Sequence, residues 1–194
     1  MRMCTQKCII WLCALIVVAL LLGLLLRTTG VTVSPLTEAD AMRQLAIMQQ
    51  QTTHAPFTSD GCSGNVSAGW KQVIQLLSET SEEFSRTYAN AESIPFESAC
   101  IAHDQSYHLG NGGYVGRLRA DMKLRTDIIE YAITNVSTIK ERTGLTTDEQ
   151  VIFLYEILAE AVYRGVRLGG APCTGMPYAW GYGYGGGSCA TSAL

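Results

Sequence analysis

A glycine-rich turn, Gly110-Asn111-Gly112-Gly113, divides the middle of the chain into two helical segments and so restricts the possible folds strongly. The helical pattern before the turn covers residues 96–109, and the pattern after it runs from residue 114 to about residue 140. Helices joined by so short a connection pack against each other in antiparallel orientation. Because strand signals are weak throughout, we predict a mainly α-helical domain built round this hairpin.

The helix before the turn carries three chemically distinctive side chains on one face. Cys100, His103 and Tyr107 are separated by three and four residues, a spacing that places them along one stripe of a helix. Asp104 lies about 100° round the helix from His103. A base and a cation-binding carboxylate side by side suit hydrolysis, in which a water is deprotonated beside a polarised carbonyl.

The helix after the turn carries an acidic residue, Asp121, that we expect to belong to the same site. His103 and Asp121 lie at roughly equal distances from the turn, which puts them at similar heights on two antiparallel helices. The Asp121 carboxylate is therefore expected to reach the His103 ring. Farther upstream, the loop Ser59–Gly64 carries Asp60 and offers oxygen ligands to a hard cation, although an ordinary surface turn explains these residues equally well.

Helical periodicity predicts three further helices, which cover residues 38–51, 67–88 and 151–168. Thr146-Thr147-Asp148-Glu149 is typical of a helix N-terminus, with a hydroxyl cap and acids in the first turn. The tail, residues 171–194, is rich in glycine, tyrosine and serine, and its residues 181–187 have the composition of a flexible loop. Cys173 and Cys189 flank that loop, and a disulfide between them would close it and limit its entropy.

The N-terminal segment indicates export from the cytosol. Residues 9–26 are uncharged and long enough to cross a bilayer, near the lower end of the range of about 17–25 residues. Arg2 and Lys7 favour a cytoplasmic N-terminus. Because the apolar stretch is this long, residues 1–30 are predicted to be an uncleaved signal anchor, with a cleaved signal peptide as the alternative. The remainder would be secreted or membrane-anchored outside the cytosol, with residues 31–56 as a linker or stalk and residues 57–194 as the domain.

Cysteine usage and charge narrow the class of protein. Four cysteines lie beyond the N-terminal segment, Cys62, Cys100, Cys173 and Cys189, and allow three pairings. Two disulfides are typical of a small exported domain, and four buried thiols are the alternative. The absence of a CxxC pair or a Cys/His cluster from the sequence argues against zinc.

A net charge of −3 without a lysine/arginine block argues against a nucleic-acid partner.

Taken together, these residues resemble the secreted phospholipase A2 superfamily. Its hallmark is a cysteine, two residues, a His-Asp pair and a tyrosine three positions beyond the aspartate, which Cys100, His103, Asp104 and Tyr107 match. The likeness is greater to the compact prokaryotic and fungal branch, which has an Asp-Gly-Cys-Ser loop before this helix and an Arg-x-Asp motif on the next. Here these motifs are Asp60-Gly61-Cys62-Ser63 and Arg119-Ala120-Asp121.

The resemblance implies a phospholipase A2-like fold and calcium-dependent hydrolysis. His103 would act as general base on a water, and Asp121 would fix its tautomer and stabilise the imidazolium. Asp60 and Asp104 would bind Ca²⁺ through their side chains, and Gly61 through its carbonyl oxygen. The ion would hold the lipid phosphate and polarise the sn-2 ester carbonyl.

The resemblance also implies structural roles. Tyr107 would donate a hydrogen bond near the site. Cys62 would pair with Cys100 and tie the calcium loop to the catalytic helix, which leaves Cys173 and Cys189 as the second pair. The site would lie on two antiparallel, disulfide-linked helices.

The implied substrate is a glycerophospholipid at a membrane surface, cleaved to a fatty acid and a lysophospholipid. The connection from Asp60 to His103 is longer than in the compact branch. Its helix, residues 67–88, would cover the lipid entrance, dock on the membrane or bind a protein partner. One alternative is a catalytically silent phospholipase-like ectodomain that binds lipid or a receptor. Another is a structural ectodomain in which the His-Asp pair only stabilises the fold.

Overall fold

The computed structural model of the protein describes residues 35–62 and 94–186, all within one compact unit, Val33–Leu194. Across these two ranges the chain forms five α-helices and one short 3-10 helix, and it forms no β-strand. The helices are α1 (Pro35–Gln51), α2 (Glu97–Leu109), α3 (Gly113–Thr134), α4 (Val136–Thr143) and α5 (Asp148–Gly169), and the 3-10 helix covers Tyr182–Tyr184. The predicted mainly α-helical architecture is confirmed for this part of the chain.

The turn between α2 and α3 has the geometry that its glycines predict. Gly110 and Gly112 adopt left-handed backbone conformations, with φ of 61° and 83°. Residues that carry a Cβ atom rarely adopt these conformations. The Gly110 N–H also caps α2 by donating to the Ser106 carbonyl. The chain therefore reverses abruptly, and α2 and α3 pack side by side.

The main core lies between α3 and α5, with α2 packed along its edge. Buried positions recur every three or four residues on both long helices, so each helix presents one apolar stripe. They are Leu124, Ile128 and Ala132 on α3, and Val151, Tyr155, Ala159 and Val162 on α5. Ala99 and Cys100 of α2 join the same cluster. Burial of each large apolar side chain contributes roughly 1.5–3 kcal/mol, and this packing fixes the two helices that carry the predicted site.

Helix α5 begins at the predicted position. The Thr147 hydroxyl accepts a hydrogen bond from the Gln150 N–H at 3.3 Å. The Gln150 side chain in turn accepts one from the Thr147 N–H at 3.2 Å. This reciprocal capping box satisfies two backbone donors at the helix start.

The helix predicted from residue 114 to about residue 140 is in fact two helices, and this part of the prediction was wrong. The backbone leaves helical geometry at Asn135, which has φ −110° and ψ 16°. Both the Asn135 backbone N–H and its side-chain Nδ2 donate to the Tyr131 carbonyl, at 3.0 and 2.8 Å. An asparagine side chain that competes for backbone acceptors favours a helix end over a helix interior.

Helix α1 lies within the segment predicted as a linker or stalk, residues 31–56, and it packs onto the domain. Leu45 is 2 % exposed and lies in a small cluster with Tyr107 and Trp180. Glu38 is buried as well, and it lies two helical turns before Leu45, on the same face. The compact unit consequently begins well before residue 57.

The part of the glycine-rich tail that the structure describes is packed, contrary to the expected flexibility. Trp180 is 2 % exposed, and its backbone N–H donates to the Gly170 carbonyl at 2.9 Å. Gly181 has φ +78°, and a Cβ atom there would lie 2.4 Å from the Leu45 side chain. At this position glycine allows close packing, so an abundance of glycine did not mean mobility.

Several predictions lie outside the described residues. They are the signal or anchor segment over residues 1–30, the helix over residues 67–88, and Cys189. Within residues 35–62 and 94–186, no helix has the length and apolar character needed to cross a membrane.

Candidate functional site

The centre of the candidate site is a hydrogen bond between His103 on α2 and Asp121 on α3. His103 Nε2 lies 2.9 Å from Asp121 Oδ1, as the hairpin geometry predicted. Asp121 is fully buried, whereas His103 retains 7 % of its exposure. Since an ionised carboxylate can only accept, we assign the ring hydrogen to Nε2, which leaves Nδ1 as a proton acceptor.

Tyr107 supports this pair, as predicted, by donating from its hydroxyl to Asp121 Oδ1 at 2.7 Å. Its ring also lies against the His103 ring, with centroids 4.1 Å apart, and meets Trp180 edge to face at 5.1 Å. Burial raises the pKa of Tyr107 well above its usual value, and the negative charge of Asp121 raises it further. Tyr107 therefore stays protonated and acts as a hydrogen-bond donor.

Two arginines complete the surroundings of Asp121, and neither of them was predicted from the sequence. Arg167 Nη1 on α5 donates to Asp121 Oδ2 at 2.8 Å. Arg117 on α3 is fully buried and donates from Nε to the Tyr107 hydroxyl at 3.1 Å. Asp121 thus accepts from three donors, His103, Tyr107 and Arg167, which fix the orientation of its carboxylate.

The available signal for Arg117 was its position four residues before Asp121, on the same face of α3. The Arg-x-Asp motif directed attention to Arg119 instead. Arg119 is exposed, because a residue two positions from Asp121 points to the opposite side of the helix. Arg167 and Glu38, which contacts both arginines, belong to other helices and carried no local signal.

The predicted calcium residues lie beside this pair. Asp104 Oδ2 accepts a hydrogen bond from Ser59 Oγ at 2.6 Å, and Ser59 Oγ accepts one from the Gly61 N–H at 3.0 Å. These contacts hold the loop that carries Asp60 and Gly61 alongside the middle of α2, next to Asp104. Gly61 has φ +66°, and a Cβ atom there would lie 2.6 Å from Glu97 Oε1, so a third carboxylate, which the sequence did not indicate, borders the loop.

Burial dominates the surroundings of the Asp104 carboxyl group. Burial raises its pKa from 3.8 to about 6; the nearby Asp60 carboxylate also raises the pKa, while the Ser59 hydrogen bond and His103 lower it. A cation shared by the two aspartates would remove this penalty.

The residues present fit a hard cation in chemical type, since they offer only oxygen atoms. Asp60, Asp104 and the Gly61 carbonyl would supply part of the six to eight ligands that Ca²⁺ usually takes, and water or substrate would supply the rest. In the ranges that the structure describes, no three His, Cys, Asp or Glu side chains form a metal-binding group. The calcium set consequently stays a prediction.

The predicted disulfide between Cys62 and Cys100 is present, with Cα atoms 5.2 Å apart. It joins the calcium loop to α2. The predicted fold class had a disulfide between the two site helices, and this bond does not connect them. Cys173 is also disulfide-bonded, but Cys189 lies outside the described residues and that pairing remains a prediction.

A cluster of rings holds the segment before the calcium loop. The buried His108 ring packs against His54 at 4.2 Å, Tyr182 at 4.9 Å and Phe57 at 5.4 Å between centroids. The Tyr182 hydroxyl donates to the Thr58 carbonyl at 2.5 Å. Burial and the neighbouring His54 lower the pKa of His108, which favours the neutral form of the His108 ring.

Two surface cavities, of about 340 and 290 Å³, lie beside the hairpin, and His103 lines neither of them.

No protein-family model, curated protein or solved structure matches the chain. The fold and site define a helical domain with a buried His–Asp pair and an adjacent acidic loop fixed by a disulfide.

Proposed function

We propose that this protein is a calcium-dependent phospholipase A2-like hydrolase that cleaves the sn-2 ester of glycerophospholipids. The observation that carries the proposal is the 2.9 Å contact between His103 Nε2 and Asp121 Oδ1. It leaves Nδ1 of the same ring available to a water. The neighbouring Asp104 places a cation-binding carboxylate next to that base.

The residues of this chain have separate roles in the proposed reaction. His103 Nδ1 takes a proton from the water whose oxygen attacks the ester carbonyl carbon, and it returns that proton to the leaving glycerol oxygen. Asp121 stabilises the imidazolium in between, while Tyr107 and Arg167 keep the carboxylate in place. The products are a free fatty acid and a lysophospholipid.

Calcium, held by Asp60, Asp104 and the Gly61 carbonyl oxygen, would supply positive charge for the lipid phosphate and for the developing oxyanion. The Cys62–Cys100 disulfide fixes the loop that carries two of these residues. We further propose that the domain works outside the cytosol, at a phospholipid surface. The segment over residues 67–88 remains the candidate for contact with that surface or with a protein partner.

The test measures fatty-acid release from phosphatidylcholine vesicles labelled in the sn-2 chain, with millimolar calcium and with a chelator. Release should require calcium and fall by a factor of about 10³ in His103→Gln, because the glutamine side chain cannot act as the general base that His103 is proposed to be. His54→Gln is the matched control, since it makes the same change at an exposed histidine outside the catalytic pair.

Release that is unaffected by chelator and by His103→Gln would refute the hydrolase proposal. Binding of vesicles without any turnover would support the alternative of a silent lipid-binding ectodomain.

A further inference from the structure

Glu38, in the first turns of α1, contacts both arginines of the site although it lies far from them in sequence. Its carboxylate pairs with Arg117 Nη1 and lies 3.5 Å from Arg167 Nη2. Glu38 is 5 % exposed and Arg117 is fully buried. A buried carboxylate is strongly destabilising unless it is paired and hydrogen-bonded, and here both partners are cations.

Each of these arginines reaches from Glu38 to a residue of the candidate site. Arg167 spans from Glu38 to Asp121 Oδ2, at 2.8 Å. Arg117 spans from Glu38 to the Tyr107 hydroxyl, at 3.1 Å. Two carboxylates and two guanidinium groups thus form one network whose formal charges balance and in which Arg167 alone is partly exposed.

Arg117 is also fixed from a second direction. Its Nη2 donates to the Val166 and Arg167 carbonyls near the end of α5, at 2.7 and 2.6 Å. Its Nε lies 3.9 Å from Asp121 Oδ2, too far for a hydrogen bond. Glu38 therefore holds the end of the guanidinium that is turned away from Asp121.

We propose that Glu38 is a positioning residue for the hydrolysis proposed above. The kinetic part of this inference rests on that proposed function. Because Glu38 is present, Arg117 and Arg167 are attracted to two carboxylates, those of Glu38 and Asp121, and not to Asp121 alone. Without its charge, both guanidinium groups turn towards Asp121 and draw that carboxylate away from His103. Helix α1 then contributes to the site, although it comes before the whole calcium loop.

The kinetic test compares Glu38→Gln with Glu160→Gln in the full chain. Glu160 is also held by two arginines, Arg125 at 3.0 Å and Arg164 at 2.8 Å, but neither of them contacts Asp121. Glu38→Gln should lower kcat roughly tenfold with KM changed less than about twofold, because the alignment of the base is altered and the substrate contacts are not. Glu160→Gln should leave both constants unchanged.

A second readout needs neither substrate nor calcium. The Nε2–H proton of His103, observed by NMR, reports the hydrogen bond to Asp121 directly. Its signal should shift or broaden in Glu38→Gln and stay unchanged in Glu160→Gln. If the protein shows no hydrolysis at all, this readout still tests the positioning role separately from the proposed function.

Two outcomes overturn the inference. One is a folded Glu38→Gln protein with the His103 signal of the wild type. The other is an equal change of this signal in Glu160→Gln. Should Glu38→Gln fail to fold, Arg167→Lys serves instead, since a lysine keeps the charge but cannot bridge Asp121 and Glu38 with two separate donors. It should shift the His103 signal in the same way, and a wild-type signal in this variant also overturns the inference.

Discussion

Tyr107 donates its hydroxyl hydrogen to the same oxygen of Asp121 that His103 contacts, with distances of 2.7 Å for the tyrosine and 2.9 Å for the histidine. One carboxylate oxygen therefore connects two residues of the same helix. Tyr107 also contacts Trp180 from the tail. This tyrosine consequently joins the packing of the domain to the orientation of the proposed base.

Tyr107→Phe should reduce both hydrolysis and stability. The change removes one donor to Asp121 and leaves Arg117 Nε without its acceptor, a loss of about 1–3 kcal/mol in the free energy of unfolding. We expect a several-fold lower kcat, measured by fatty-acid release, and a lower urea midpoint. Tyr131→Phe is the control, because Tyr131 packs on Tyr155 at the other end of the domain core. Equal effects in both variants would contradict a specific role for the Tyr107 hydroxyl.

Gly181→Ala should destabilise the protein more than Gly175→Ala does. Both glycines have a φ of about +80°, so both changes incur the strain of that conformation, roughly 1–2 kcal/mol. Only at Gly181 would the new Cβ atom meet another side chain, that of Leu45 at 2.4 Å, whereas nothing lies within 4 Å at Gly175. Urea unfolding of the two variants measures the difference, and a Leu45→Ala background should reduce it. An equal loss of unfolding free energy at both positions would show that the Leu45 side chain on α1 does not restrict the space at Gly181.

The parts of the site that the sequence predicted are those fixed by local geometry. His103 and Tyr107 share a face because of helical periodicity, and the glycine turn sets Asp121 opposite them. These relations need only the register of two helices and a short connection. The Cys62–Cys100 bond was implied by the family resemblance, and the structure contains it.

The parts that the sequence did not predict depend on packing between distant segments. Glu38, Arg117 and Arg167 come from three different helices, and no periodicity indicates that their charges meet in the interior. An arginine on a helix ordinarily lies in solvent, so Arg117 gave no sign of its burial. The packing of the tail was not predicted for a related reason. Its glycines permit a close approach to α1, and this approach depends on the folded arrangement of distant segments.

Removal of the Cys62–Cys100 disulfide should weaken calcium binding as well as the fold. The bond closes a segment with a sequence separation of 38, for which chain-entropy arguments give up to about 4 kcal/mol. In the Cys62→Ser/Cys100→Ser variant the loop carrying Asp60 and Gly61 loses its covalent connection to α2. We expect a lower thermal midpoint and a much smaller increase of that midpoint on addition of calcium, as measured by calorimetry. An unchanged calcium-induced shift would contradict the placement of the calcium ligands on this loop.

The acidic loop should also make the stability of the calcium-free protein depend on pH through Asp104. Its pKa is raised from 3.8 to about 6 in the folded state, so folding favours the protonated carboxyl group. This contribution to stability is complete below about pH 4 and is lost as the pH rises towards 6, a change on the order of 2–3 kcal/mol. Urea unfolding in the presence of a chelator should show that decrease in the wild type and a much flatter profile in Asp104→Asn. Calcium should restore stability above pH 6 in the wild type alone, because its positive charge would offset the cost of ionising the buried carboxyl group. If Asp104→Asn kept the wild-type slope between pH 4 and 6, the raised pKa would belong to a different group.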